Sequence, residues 1–357
     1  MRIGIIAPAN STHTVKIVNS LCEAGDEVFL YSLPNHRDAE NAISERAAIR
    51  YLRTGGSLGY FLNAGNLKTL LQNDAPNVLS AHYASGYGTL ARKCGFHPYS
   101  LSVWGSDVYA FPRQNKIKRF LLKKNLDASD MIMSTSKCMA EETLKYTRKS
   151  NITVTPFGVN TDIFSPPQER KSDGPVRIVF VKSIAEPYGL EFLIDAVSKL
   201  VSGGIHDIRL DIYGDGDKTE EMKKLASTSG VDDITFFHGR IEHTRVAEVL
   251  KASDIMCVPS LAESFGVSAI EAMACGLPCV TSDAPGLAEV MEDGITGFIV
   301  PAGSSQKLAE KLNVLIEDEA LRKSMGLNGR KRVLEYYDWK NNFLTYRNAL
   351  ATLTDNH

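Results

Sequence analysis

Twice along the chain a short apolar run is followed by a stretch whose apolar positions recur at helical spacing. Residues 3–7, Ile-Gly-Ile-Ile-Ala, lead to Val15, Val18, Leu21 and Cys22. Residues 176–181 form the second run and lead to Leu190, Leu193, Ile194 and Val197. A further strand-like run closes each unit, at residues 27–31 and 208–213. Strand, helix, strand, found twice, predicts an α/β protein with two parallel sheets covered by helices. A small echo supports a duplicated architecture. Ala128, Ser129 and Asp130 precede the apolar residues 131–133, just as Ala252, Ser253 and Asp254 precede 255–258.

The segment 164–175 carries Pro166, Pro167 and Pro175 within a polar run, which marks it as the linker candidate. The periodicity from about 307 to 353 predicts helix, with an aromatic group of Tyr336, Tyr337, Trp339, Phe343 and Tyr346. Such a terminal helix must bury that side, and packing back across both domains is one solution. The expected division is 1–160, completed by a helix at about 338–357, and 161–337.

The length of 357 residues suits two domains at roughly 150 residues each. A composition of 43% hydrophobic and 23% charged residues excludes disordered, collagenous and coiled-coil classes. The formal net charge of -2 hides an asymmetry: residues 1–160 hold 19 Lys+Arg and 12 Asp+Glu, the remainder 21 and 30. The basic half is the one expected to meet something anionic. Cys22, Cys94, Cys138, Cys257, Cys275 and Cys279 are scattered without a C-x-x-C pair, which points to reduced thiols in the cytosol. The opening apolar run is too short for a signal peptide, and no run approaches the ~18 residues of a membrane span. A soluble cytoplasmic protein, with peripheral attachment at the membrane's cytoplasmic face left open, is the expectation.

Ligands of open parallel sheets bind outside the carboxyl ends of the strands. Residues 259–278 lie there: they leave the strand 255–258, turn through a loop holding Glu263 and Gly266, and enter an Ala-rich helix ended by Gly276 and Pro278. The free N–H groups near Gly266 and Val267 are suited to an anion such as a diphosphate, and a glycine admits close approach. Glu263 and Glu271 flank that position, and carboxylates accept hydrogen bonds from vicinal hydroxyls. The plain alternative is a helix cap at Glu263 and a solvated helical residue at Glu271.

Glu263 and Glu271, with Ser264, Phe265 and Gly266 between them, resemble the E-x7-E signature of glycosyltransferase family 4. Further motifs follow in that family's order: residues 156–160 with Phe164, residues 213–216, residues 237–240, Pro285 with Gly286, Glu289, and Gly294 with Gly297. The resemblance covers essentially the whole second half and, more loosely, the first. It implies the GT-B architecture, two Rossmann-like domains with parallel sheets facing a central cleft, and a retaining enzyme. It places Glu263 on the donor hexose hydroxyls and Glu271 on the nucleotide ribose. The amides of Ser264, Phe265, Gly266 and Val267 would face sugar and phosphate, with Gly214, Gly239 and Arg240 in donor-side loops. In the first half, His82 matches a histidine near the transferred sugar, though a lone histidine also reads as structural. Asn10, Ser11, His13 and Asp107 fall on the acceptor side, and Asp107 equally reads as a turn residue.

Two positions depart from the pattern. The family's arginine after the first strand of the second domain is Lys182 here, and the lysine six residues later is Tyr188. Lysine is a point charge without arginine's bidentate fork. Stabilisation of the leaving diphosphate then rests on Lys182, the helix start and Arg240. By the family pattern the acceptor attacks from the face the diphosphate leaves, so configuration is retained without a protein nucleophile. No D-x-D metal motif is found in a suitable loop, and no metal or other cofactor is expected.

The expected activity is hexosyl transfer from a nucleotide-sugar, UDP-linked with GDP-mannose as the open alternative, to a glycan or lipid-linked acceptor in surface polysaccharide or glycoconjugate assembly. The departures motivate one rival, a non-catalytic glycan-binding subunit. Paired glutamates motivate another, a nucleotide-sugar epimerase or hydrolase. Residues 113–124 hold six basic side chains, Arg113, Lys116, Lys118, Arg119, Lys123 and Lys124, interleaved with Ile117, Phe120, Leu121 and Leu122. They read either as a helix on an anionic membrane surface, at about 1 kcal/mol per charge, or as a solvated helix packed on its own sheet. Aromatic interleaving suited to bases is lacking, so nucleic acid is not an expected partner.

Overall fold

The computed structural model describes residues 1–168 and 174–355. It divides into two compact units, Met1–Pro156 with the chain from Asn341 onward, and Phe157–Lys340.

The first unit is built on β1 (Arg2–Ile6), β2 (Glu27–Ser32), β3 (Ala48–Tyr51), β4 (Val78–His82), β5 (Tyr99–Val103), β6 (Met131–Ser134) and β7 (Thr153–Val154). Their order is β3-β2-β1-β4-β5-β6-β7, and every pairing is parallel. The apolar run of β1 is explained by burial on both faces: Ile3, Ile5 and Ile6 are fully buried, as a strand inside a helix-covered parallel sheet requires. The following helix, Thr12–Glu23, turns Ile17, Val18, Leu21 and Cys22 into the core.

The second unit repeats the plan with β8 (Val176–Val181), β9 (Ile208–Tyr213), β10 (Thr235–Gly239), β11 (Ile255–Val258), β12 (Cys279–Ser282) and β13 (Gly297–Val300), ordered β10-β9-β8-β11-β12-β13. Its pairings are also parallel. Leu190, Leu193, Ile194 and Val197 of the helix Leu190–Ser202 are all buried against it. Strand order reverses beside β1 in one sheet and between β8 and β11 in the other, the positions where such sheets open a crevice at their carboxyl ends.

The proline-bearing segment 164–175 does not separate the units. The chain changes unit between Pro156 and Phe157, because the residues that follow are stitched into the second unit. Val159 pairs with Asp338, Phe164 is buried, and the Arg330 guanidinium binds the carbonyls of Phe164 and Thr161 at 2.6 and 3.0 Å. Residues 169–173 of that segment lie outside the described residues.

The long helical stretch near the carboxyl end is three helices, Ser305–Glu317, Glu319–Tyr336 and Trp339–Asp355. Asp318 breaks the first two apart by leaving helical geometry and accepting the Leu321 N–H at 2.8 Å, an N-cap. From Asn341 the last helix belongs to the first unit. Tyr346 donates to Ser80 Oγ at 2.9 Å, and Arg347 grips Asp26 at 2.6 and 2.9 Å. Burial works against the Asp26 charge, but hydrogen bonds from Arg347 and the Met1 amino group outweigh it and hold the carboxyl below its ordinary pKa. No helix among the described residues is long and apolar enough to cross a membrane.

Candidate active site

Lys182 directly follows β8, and its ammonium forms an ion pair with the Glu263 carboxylate, from the loop after β11. Both side chains are largely buried, so the charges are closely matched in a poorly hydrated place. The sequence places Lys182 there because β8 ends beside β9, and the glycines just after β9 admit its main chain. A Cβ on Gly214 would lie 1.9 Å from the Lys182 carbonyl oxygen, and one on Gly216 would lie 2.1 Å from that of Ile184. Gly214 therefore gives the Lys182 main chain room to pass close by. Gly239 accepts from the Gly214 N–H at 2.9 Å. Arg240 follows it, exposed and two strands away from Lys182.

The loop from Glu263 enters the helix Val267–Ala274 through Gly266, whose φ of 96° is left-handed and favours glycine. Among the described residues no acceptor meets the N–H groups of Gly266, Val267 and Ser268, so three donors of the helix start stand open. Phe265 anchors this loop from below. Its ring is buried edge-on to Phe157 and Tyr337, both at 5.8 Å, so its side chain is a core element and only its main chain is left for a ligand. Ser264 donates its N–H to Glu263 Oε1 at 3.3 Å. Glu271, one helical step deeper, is buried rather than solvated and is held by His243 Nε2 at 2.8 Å. Open amides, one cation and two carboxylates are what a sugar attached to a diphosphate requires.

In the first unit the carboxyl ends of β1, β4 and β5 gather His13, His82 and Trp104. His82 ends β4 and is fully buried, with Trp104 4.7 Å from its ring and His13 5.6 Å from Trp104. Its Nε2 meets Ser80 Oγ and the Tyr346 hydroxyl, each at 3.2 Å, and among the described residues its buried Nδ1 meets no hydrogen-bond partner. Burial first, and then the nearby His13, push its pKa down to about 3, so the ring is neutral at neutral pH. Asn10 and Ser11 lie in the loop before the helix that carries His13. Asp107 is a turn residue: fully buried, its carboxylate accepts the N–H groups of Ala84, Gly105 and Trp104 at 2.8, 2.8 and 3.2 Å. This is the turn arrangement of the two readings open for Asp107. Tyr83, which follows His82, has a φ of 69°, uncommon for a side chain of that size.

Two partners were not legible in the chain. His243 reaches Glu271 from another helix, and nothing in local spacing signals that pairing. Tyr188 reads in the sequence as a missing cation, whereas its ring lies 4.6 Å beneath the Lys182 ammonium. Among the described residues no group of three or more His, Cys, Asp or Glu could hold a metal ion.

Two Rossmann-like units with this strand order define the GT-B class. Sucrose-phosphate synthase from Thermosynechococcus elongatus shares the fold with a TM-score of 0.88 at 20% identity, covering 100% of both chains. Anabaena HepE, solved in complex with UDP, does so with a TM-score of 0.85 at 16% identity, over 99% of this chain and 100% of that one. Residues 162–332 match the family model of glycosyl transferases group 1, and residues 2–136 that of the glycosyl transferase 4-like family. The chain belongs to the family 4 glycosyltransferases. An uncharacterized glycosyltransferase of Methanocaldococcus jannaschii is 26% identical over 349 residues, 96% of this chain and 94% of the relative. The D-inositol 3-phosphate glycosyltransferase of Arthrobacter sp. (strain FB24) is 31% identical over 63% of this chain and 60% of its own.

Proposed function

We propose that this glycosyltransferase takes a hexose from a UDP-linked donor and transfers it, with retention, to a glycan or lipid-linked acceptor in surface polysaccharide or glycoconjugate biosynthesis. The observation that carries this reading is the meeting of Lys182 and Glu263 at a helix start whose first amides lack acceptors. Cleavage of the sugar–phosphate bond builds positive charge on the sugar and negative charge on the departing diphosphate. Lys182 and the open amides of Gly266, Val267 and Ser268 then stabilise the leaving group more strongly than the intact donor. Glu263 accepts from hexose hydroxyls, and Glu271 from the ribose. Lys182 and these amides meet the leaving group's growing charge, and the reading includes no metal. Support comes from HepE, solved with UDP and with UDP-glucose.

Thermal melting with millimolar UDP, GDP or ADP tests the donor, since a ligand bound only by the folded chain raises Tm. UDP is expected to raise it, with GDP and ADP ineffective and EDTA without influence. Proton NMR of UDP-hexose turnover is expected to show the donor's anomeric configuration in the first-formed product. An inverted product, a free epimerised sugar nucleotide, or no shift with any nucleotide would defeat the reading.

The lipid-linked acceptor and a cytoplasmic-face location draw on the helix Lys116–Ala128. Leu122 and Leu126 pack into the core, but Ile117 and Phe120 are 79% and 58% exposed, between Lys116, Arg119 and Lys124. Apolar side chains amid cations suit an anionic lipid surface. The wild type is expected to float with phosphatidylglycerol vesicles at low salt, and Ile117→Asp/Phe120→Asp to stay in solution. Equal flotation of the two proteins would remove the membrane from this proposal.

A further inference from the structure

We propose that Tyr188 is a positioning residue whose ring holds the ammonium of Lys182 where the donor's diphosphate must sit; the inference rests on the donor reading above. Lys182 lies between two holders. Its Nζ is 4.6 Å from the centre of the Tyr188 ring and in contact with the Glu263 carboxylate. A lysine stem is long and flexible, so an ammonium without such holders spreads over many rotamers. A ring face attracts it without adding a competing charge.

The platform is fixed to the loop that carries Glu263. The Leu261 and Ala262 N–H groups both donate to the Pro187 carbonyl, at 2.9 and 3.2 Å. Gly189, at a φ of 66°, lies so close to Pro259 that a Cβ would stand 2.3 Å from its carbonyl oxygen. Tyr188, between these two anchors, keeps its distance from the Glu263 loop.

This arrangement answers the departure seen in the sequence. A second lysine at 188 would add a phosphate contact but would repel Lys182 and compete for Glu263. The tyrosine instead lets one cation do both tasks in turn. Without donor, Lys182 neutralises Glu263. When a diphosphate arrives, the ammonium exchanges the carboxylate for phosphate oxygens while remaining over the ring, and Glu263 is released to the hexose hydroxyls.

The test is a double-mutant cycle read by calorimetric UDP affinity and by kcat and KM for the UDP-hexose. Tyr188→Leu is expected to weaken UDP roughly three- to tenfold, a cation–π loss. Tyr188→Phe, which keeps the ring, is expected to restore the affinity. In a Lys182→Ala background, Tyr188→Leu is expected to cost nothing further, because the group it positions is gone. Additive losses, or a Phe variant no better than Leu, overturn the role of Tyr188 while UDP binding by the wild type still supports the donor reading. A wild type that binds no nucleotide overturns both.

Discussion

Lys182→Ala is expected to lower kcat/KM for the nucleotide-sugar by roughly 10²- to 10³-fold, the scale seen when one preorganised charge-stabilising group is removed. The loss has two origins. One is the missing cation at a leaving group whose negative charge grows in the transition state. The other is Glu263, which the same substitution strips of its ion-pair partner. An unpaired carboxylate with so little exposure repels the incoming diphosphate and carries its own desolvation cost. The two origins separate in the double variant Lys182→Ala/Glu263→Gln. Its UDP affinity is expected to exceed that of Lys182→Ala alone, since the repulsion is gone. Its turnover is expected to stay at the lower level, since neither hexose contact nor leaving-group cation returns. Calorimetry and initial rates measure the two quantities. A Lys182→Ala enzyme within about threefold of the wild type would exclude any role of this ammonium in the chemistry.

That prediction draws on residues the chain announced. Short apolar runs and period-3.6 patterns marked both parallel sheets, because strands buried on two faces read as unbroken apolar runs while their crossover helices show one apolar stripe. Glu263 and Glu271 stood out because a loop–helix junction is local in sequence. Other features were hidden by the same physics. The segment 164–175 looks like a boundary through its prolines, yet where the chain changes unit is decided by distant partners, Asp338 and Arg330. Asp107 and Gly214 have the composition of site residues, but one satisfies buried amides and the other clears room for a carbonyl. The His243–Glu271 and Lys182–Tyr188 pairs differ in kind. The first joins residues 28 apart and leaves no local trace, whereas the second lay within one loop and was concealed because an aromatic ring was read as the absence of a charge.

Gly286→Ala is expected to abolish most activity, by roughly 10²-fold, although Gly286 carries no functional group. It sits in the first turn of the helix Pro285–Val290 and donates its N–H to the Glu263 carbonyl at 3.0 Å. A Cβ there would lie 2.3 Å from the Phe265 nitrogen, 2.4 Å from the Ser264 carbonyl carbon and 2.8 Å from the Glu263 oxygen. All three are main-chain atoms, so no side chain can rotate away, and the loop must retreat by about an ångström to regain van der Waals distance. The retreat is opposed on every side. Phe265 is wedged between Phe157 and Tyr337, and Gly266 has Leu287 and Val290 against it. Overpacking of this kind costs about 1–3 kcal/mol of stability, and a shift of that size in positioned groups costs about two orders of magnitude in rate. Urea unfolding and UDP-hexose turnover measure both. Gly65→Ala is the control, since its Cβ would meet nothing within 4 Å, and it is expected to leave stability level or slightly raised. If Gly286→Ala matches that control in rate, the Glu263 loop has slack, and its open amides are not held rigidly enough to act as a preorganised anion site.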